Sequence, residues 1–187
     1  MNSRMILLAA VVALLAGGAA SGNDRRDDDG AKLHFRASLS GAQEVTPPQA
    51  PATPSPGVLT DTSAQIRVRF AKDLSSFQFV LPVQNGKQIT QAHLHCGRPG
   101  QNGPVIVFLF PFNSGGTDVD GVLSNGSRGS VDFIPGAANC ETAIGRPIRD
   151  IASLAFAARD GLIYANVHTL TNPAGEVRGQ LLEEDDD

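Results

Sequence analysis

Alternation of apolar and polar residues over short stretches runs along most of the chain and predicts β-strands. Residues 33–39, 64–70 and 77–83 each place an apolar side chain at every second position, which is the period of a half-buried strand. Asp73-Leu74-Ser75 separates the second and third stretches and predicts an antiparallel hairpin. Many short strands joined by turn residues are typical of a β-sandwich or barrel.

The second half of the chain continues this pattern with one exception. Further strands are predicted at 91–96, 105–110, 119–123, 130–134, 162–169 and 176–181, and Asn85-Gly86-Lys87 is predicted to turn the chain into the first of them. The exception is 146–159, where Ile148, Ile151, Ala152 and Ala155 recur at helical spacing. We therefore expect an all-β, antiparallel sandwich with one short helix.

Length and composition favour one domain with a sizeable core. The chain has 187 residues, of which 41% are hydrophobic and 18% charged, and it contains 20 Gly and 12 Pro. We expect a disordered charged leader at 23–31, a domain at 32–182 with an exposed proline-rich loop at 46–57, and an acidic tail at 183–187. The net charge is −4 and no basic stripe is visible, so nucleic acid is not expected as a partner.

The first 22 residues have the features of a secretory signal. Arg4 precedes an apolar run at 5–16, and small residues follow at 18–21. A transmembrane anchor is the alternative, but the run is shorter than the roughly 20 residues that a span requires. The sequence thus predicts a secreted protein, extracellular or periplasmic, with no membrane span after signal cleavage.

Export bears on the two cysteines, Cys96 and Cys140. In an oxidising compartment two cysteines most simply form one disulfide. The alternative is that Cys96 is a thiolate metal ligand beside His95. In a regular strand, however, Cys96 faces away from the histidines.

The strand at 91–96 carries the candidate chemistry of the chain. His93 and His95 share one of its faces, and Ala92, Leu94 and Cys96 share the other. Imidazole nitrogens are ligands for Cu and Zn. Hydrogen bonding at a strand end is the alternative role for such a pair.

A third histidine strengthens the metal hypothesis. His168 lies on the late strand at 162–169, with Tyr164 and Asn166 on the same face as packing residues or residues that support the ligands. If this strand runs beside the first, His93, His95 and His168 converge on one patch.

Three motifs together resemble the CHRD domain, the module repeated in chordin and found singly in bacterial secreted proteins. The opening motif is Leu39-Ser40-Gly41-Ala42-Gln43-Glu44-Val45, followed by Pro47-Pro48. The central motif is Ala92-His93-Leu94-His95-Cys96-Gly97 with Gly100-Gln101-Asn102-Gly103-Pro104-Val105. The closing motif is Tyr164-Ala165-Asn166-Val167-His168-Thr169, with Asn172-Pro173 and Gly175-Glu176-Val177-Arg178-Gly179-Gln180. The motifs lie in the family's order and span nearly the whole mature chain.

The resemblance implies an immunoglobulin-like β-sandwich with a distant similarity to copper/zinc superoxide dismutase. It implies no established biochemical activity. The further histidines and the aspartate that build the zinc half of such a dismutase are missing, because His34 is the one histidine left. We therefore expect no dismutase activity, although a three-histidine site for Cu or Zn remains chemically sound.

No catalytic constellation stands out, so an enzyme is not expected. Glu176 and Arg178 share one face of the last strand. We expect them to form a structural charge pair or to hydrogen-bond the loop at Gln43-Glu44, with an acid–base role as the alternative. Two functions remain: a non-enzymatic extracellular module that binds another protein, a surface polymer or itself, and a copper- or zinc-binding protein.

Overall fold

The structure is a computed structural model that describes residues 33–46 and 57–184. These residues form eight β-strands and two short α-helices. The strands are β1 (His34–Ser40), β2 (Ser63–Phe70), β3 (Ser76–Cys96), β4 (Val105–Phe110), β5 (Thr117–Gly129), β6 (Ile163–Thr169), β7 (Val177–Gln180) and β8 (Leu182–Glu183), and the helices are α1 (Cys140–Ile144) and α2 (Ile151–Arg159). The predicted signal and leader, nearly all of the proline-rich loop and the last three residues of the acidic tail lie outside the described residues.

All strand pairings are antiparallel, and the predicted all-β fold class is confirmed. The hydrogen-bonded order is β2-β1-β7-β6-β3-β4, β5 pairs with β3, β8 pairs with β1, and a further pairing of β2 with β3 closes the sheet. The predicted hairpin joins β2 to β3, with Phe70 opposite Phe77. Alternate residues of β1 and β2 are buried, as the period of two predicts.

The predicted turn at Asn85-Gly86-Lys87 is wrong, because β3 continues through it as one strand of 21 residues. The chain bends there without leaving the sheet: Asn85 and Gln88 have left-handed φ angles of 53° and 49°. The segment before the bend pairs with β2, the segment after it pairs with β4 and β6, and β5 pairs with the first segment and continues across the bend to Ile89. One strand therefore carries the fold from one half of the closed sheet to the other.

The strand after β4 also differs from the prediction. β5 covers Thr117–Gly129 instead of residues 119–123, because most of its length finds hydrogen-bonding partners on β3. The predicted strand at 130–134 is a 3₁₀ turn at Ser130–Asp132, where the Asp132 carboxylate accepts a hydrogen bond from the Gly129 N–H at 2.7 Å. The side chains of Ser124 and Arg128 donate to carbonyl oxygens of β4 and close the gap between the two strands.

The predicted helix at 146–159 is present over its second part. α2 begins after Asp150, whose side chain accepts a hydrogen bond from the backbone N–H of Ser153 at 2.7 Å. Ile151 and Ala155 are buried as predicted, whereas Ala152 is half-buried. The single-turn helix α1 carries no periodic signal in the sequence and was not predicted. None of the helices in the described part of the chain is long and apolar enough to cross a membrane.

Candidate metal centre

Three histidines converge where β3 and β6 run side by side. In the register of these strands, Gln91 lies opposite His168 and His93 lies opposite Asn166. His93, His95 and His168, named the histidine triad below, are 2%, 7% and 6% exposed. Each offers a ring nitrogen within 4.8 Å of those of the other two. The structure thus brings together the three candidate ligands, whereas His34 lies apart from them on β1.

Backbone carbonyls fix the proton on two of the three rings. Nδ1 of His95 lies 2.8 Å from the carbonyl oxygen of Gly103, and Nδ1 of His168 lies 3.0 Å from that of Pro173. A carbonyl oxygen only accepts, so each Nδ1 carries the proton and donates it. In the neutral rings the lone pairs are then on Nε2, which is the tautomer that a metal-binding histidine needs.

The third ring, that of His93, bonds within the triad. Nδ1 of His93 lies 3.1 Å from Nε2 of His168 and donates to it. Within the described residues, Nε2 of His93 and Nε2 of His95 are buried without a hydrogen-bond partner. Buried polar atoms rarely lack partners, and such an atom requires an explanation.

Burial also keeps the rings neutral. It lowers the pKa of His93 to about 2 and the pKa of His95 to about 4, and the neighbouring histidines add to the effect. Burial lowers the pKa of His168 as well, although the hydrogen bond to Pro173 opposes the shift. His93 and His95 therefore stay unprotonated well below neutral pH, and the shift at His168 also favours the neutral ring that a metal ligand requires.

A stack of three side chains supports His95. The rings of His95 and Tyr164 are nearly parallel at 9°, with centroids 4.8 Å apart. The guanidinium carbon of Arg178 lies 3.5 Å from the centroid of the Tyr164 ring. Tyr164 and Arg178 are both 2% exposed, so neither ring nor guanidinium is free to move into solvent.

Arg178 also holds the loop that covers His95. It donates to the carbonyl oxygens of Arg98 and Gln101 at 3.1 and 2.8 Å, and to Oδ1 of Asn102 at 3.2 Å. The same loop ends at Gly103, whose carbonyl accepts the proton of His95. A Cβ on Gly103 would lie 1.6 Å from the carbonyl oxygen of Cys96. Any larger residue at position 103 would therefore force the backbone to shift, and the carbonyl that accepts from His95 would shift with it.

The opening and closing motifs meet behind the triad. The carboxyl group of Glu44 hydrogen-bonds the Asn166 side chain. A Cβ added to Gly175 would lie 2.5 Å from the oxygens of this carboxyl group. Burial raises the pKa of Glu44 to about 7, although the positive charge of Arg178 opposes the shift. Gln43 has a local role, because its side-chain amide donates to the carbonyl oxygen of Ser38.

Glu176 and Arg178 do not form the charge pair that the sequence suggested, because they take different partners. The carboxylate of Glu176 accepts hydrogen bonds from Thr60, Thr169 and Asn172. Burial would raise the pKa of Glu176, but these three donors outweigh it and hold the pKa below its usual value. Glu176 is a structural anion that ties the segment before β2 to the turn before β7.

The predicted disulfide is confirmed: Cys96 and Cys140 are bonded. Both are fully buried, and Cys96 belongs to the apolar core rather than to the triad. The bond attaches the end of β3, directly after His95, to α1.

Two contributors to the site were not predicted. Asn102 links the loop to the opening motif, since its Nδ2 donates to the carbonyl oxygen of Val45 at 2.9 Å. Thr60, which donates to Glu176, follows the proline-rich segment. No periodic pattern in that part of the sequence identifies it as part of the site. The position of Asn102 in the central motif was a usable signal, whereas Thr60 had none.

Comparison with known families supports the resemblance seen in the motifs. The family described as CHRD domain matches residues 35–181. No curated protein and no solved structure matches the chain significantly. The family match contains all three residues of the triad and both cysteines.

Proposed function

This chain belongs to the CHRD-domain family, and from that premise we propose that it is an exported, non-enzymatic binding module whose histidine triad holds one copper or zinc ion. The domain and the internal disulfide fit an extracellular protein. Three neutral imidazoles form a donor set that suits either metal. In this proposal the metal ion is what the module binds, and it would also link β3 to β6.

One observation carries this proposal: two imidazole nitrogens of the triad, Nε2 of His93 and Nε2 of His95, are buried without a hydrogen-bond partner among the described residues. A triad that existed only for hydrogen bonding would have its nitrogens paired. Metal coordination gives them a partner. The carbonyls of Gly103 and Pro173 are the outer contacts that orient metal-bound histidines.

The donor spacing fits an ion after a small contraction. Two nitrogens that are each about 2.1 Å from one zinc ion lie at most about 4.2 Å apart, whereas the donors of the triad span up to 4.8 Å. His93 is the ring best able to move, because its Nε2 is free and its Nδ1 bonds only within the triad.

Competition titrations with Cu(II) and Zn(II) against a chelator of known affinity test the proposal. The wild type should bind one ion, and His95→Ala and His168→Ala should lose tight binding of either metal. His34→Ala removes a histidine outside the triad and serves as the control. Equal affinity in the wild type and in His95→Ala would contradict the proposal.

A second candidate function, binding of an acidic surface polymer, is favoured by the outer face of β1 and β2. Arg36 lies directly opposite Arg67, and His34 lies opposite Arg69. All three arginines are exposed, and like charges placed opposite each other destabilise a sheet. Glu184, 3.8 Å from Arg67, offsets part of this charge.

Retention on immobilised dextran sulfate tests this second function. We expect retention that weakens with salt and is lost in an Arg67→Gln/Arg69→Gln variant, with no change in His95→Ala. Equal elution of the wild type and the double variant would exclude it.

A further inference from the structure

Asn166 places a polar side chain among the three histidines on the same sheet face. It pairs across the strands with His93 and precedes His168 by two positions. Its side chain is 4% exposed, and its Oδ1 lies 2.9 Å from Nε2 of His168. The amide oxygen therefore touches a nitrogen that is itself a candidate ligand.

This contact is not an ordinary hydrogen bond when His168 is neutral. Nδ1 of His168 gives its proton to the carbonyl of Pro173, so Nε2 bears a lone pair. The amide oxygen of Asn166 is also an acceptor, and two acceptors then face each other at 2.9 Å. A cation bound to both atoms resolves this conflict, whereas burial disfavours a second proton on the ring.

The distance between Asn166 and His168 matches one edge of a coordination sphere. Two donors about 2.05 Å from one ion lie about 2.9 Å apart at a right angle and about 3.4 Å apart at a tetrahedral angle. Oδ1 of Asn166 is 2.9 Å from Nε2 of His168. An edge this short fits the tetragonal geometry that Cu(II) prefers.

Glu44 fixes which end of the amide faces the triad. Its carboxyl group hydrogen-bonds the Asn166 side chain, and a carboxylate accepts from the amide Nδ2. With Nδ2 held by Glu44, Oδ1 is left facing His168. Gly175 leaves room for this arrangement, because any side chain there would meet the carboxyl group.

We propose that Oδ1 of Asn166 is a fourth ligand of the metal ion, which makes the site three imidazoles and one amide oxygen. This inference rests on the proposed function. The fourth ligand also restricts the oxidation state of the bound metal, because a hard oxygen donor favours Cu(II) or Zn(II) over Cu(I). Glu44 is the positioning residue for Asn166.

Cu(II) titration and electron paramagnetic resonance of four full-chain variants test the fourth ligand. Asn166→Asp keeps the shape and replaces a neutral oxygen with an anionic one, so it should bind Cu(II) at least about tenfold more tightly and change the spectrum. Asn166→Leu removes the donor and should weaken binding about tenfold, also with a changed spectrum. Asn125→Asp, an exposed change of the same kind on β5, should match the wild type, and His95→Ala should bind no Cu(II).

The outcomes separate the two proposals. If Asn166→Asp has the affinity and spectrum of the wild type while His95→Ala loses Cu(II), the triad binds metal without Asn166 and the fourth ligand is overturned. If His95→Ala binds Cu(II) as the wild type does, the triad itself fails. Asn166→Asp is nearly isosteric, so it decides the question even if Asn166→Leu does not fold.

Discussion

At the scale of single residues, the site depends on which nitrogen of each histidine carries the proton. The alternation of residues in β3 was enough to predict that His93 and His95 share a face, and their ring centroids lie 5.4 Å apart. The acceptors that fix the protons were not predictable. The carbonyls of Gly103 and Pro173 belong to turns, and no periodicity places a turn against a particular side chain.

The stability of the metal-free protein should fall as the pH drops below about 6.5. An unfolded histidine takes up a proton near that pH, whereas the folded pKa is about 2 for His93 and about 4 for His95. Each such histidine costs about 1.4 kcal/mol per pH unit in this window. Glu44 acts in the opposite direction, because its folded pKa is raised to about 7, but one carboxyl group does not offset two histidines.

Urea unfolding of metal-free protein at several pH values between 4.5 and 7 measures this slope. His93→Gln should have a shallower slope than the wild type, because one of the depressed groups is gone. A wild-type stability that is constant or rises toward pH 4.5 would show that the rings are not buried in neutral form.

Gly175 and Gly121 form a matched pair for testing the contact between the opening and closing motifs. Their φ angles are nearly equal, +146° and +142°. A Cβ at Gly175 would lie 2.5 Å from the Glu44 carboxylate, whereas a Cβ at Gly121 would meet nothing within 4 Å. Alanine at either position costs backbone strain, and at Gly175 it should cost about 1–3 kcal/mol more from overpacking. Equal losses in thermal or urea unfolding would mean that Glu44 moves aside freely.

At the scale of the elements, local pattern predicted the regular strands and failed where tertiary pairing decides. The hairpin of β2 and β3 follows from the Asp73–Ser75 turn between two alternating stretches. The bend at Asn85–Gln88 has the composition of a turn, yet β5 pairs across it at Gly86 and Ile89 and keeps the chain in the sheet. The start of α2 likewise depends on the Asp150 cap rather than on the apolar spacing that begins at Ile148.

Removal of the disulfide should destabilise the domain by about 4 kcal/mol. Cys96 and Cys140 are 44 residues apart in sequence, and the chain-entropy model gives this value for a loop of that length. Urea unfolding of a Cys96→Ala/Cys140→Ala variant against the wild type provides the measurement. A mass of the non-reduced wild type two hydrogens below the dithiol form confirms the starting state, and equal midpoints for the two proteins would contradict the expectation.

At the scale of the whole molecule, the triad lies on the sheet face opposite the core residues Ala92, Leu94 and Cys96, beneath the loop that Arg178 holds. The fold class was predictable because the alternation of apolar and polar residues can be read within each short stretch of sequence. Closure of the sheet was not, because it depends on how strands that are distant in sequence are arranged around the pairing of β2 with β3. The triad combines residues 75 positions apart in sequence, His93 and His168. Their convergence was predicted on the condition that β3 and β6 are neighbours, a pairing that the structure contains.

The copper-loaded protein should lack dismutase activity of physiological size. The triad lies beneath the loop that Arg178 holds, and Arg178 is committed to that loop. Arg98 is exposed and is left to attract an anion toward the histidines, since Arg178 is buried. Stopped-flow assay of copper-loaded protein should give a rate far below the diffusional limit of about 10⁸–10⁹ M⁻¹s⁻¹, and a rate near that limit would refute the non-enzymatic assignment.

Metal analysis of full-chain protein secreted from an oxidising compartment and challenged with copper tests the central claim most directly. The account predicts one tightly held copper ion per chain in the wild type and none in His168→Ala, whose circular dichroism should match that of the wild type. The contradicting result is a wild type that retains no metal after the challenge while His168→Ala unfolds. The histidines would then be structural hydrogen-bonding residues.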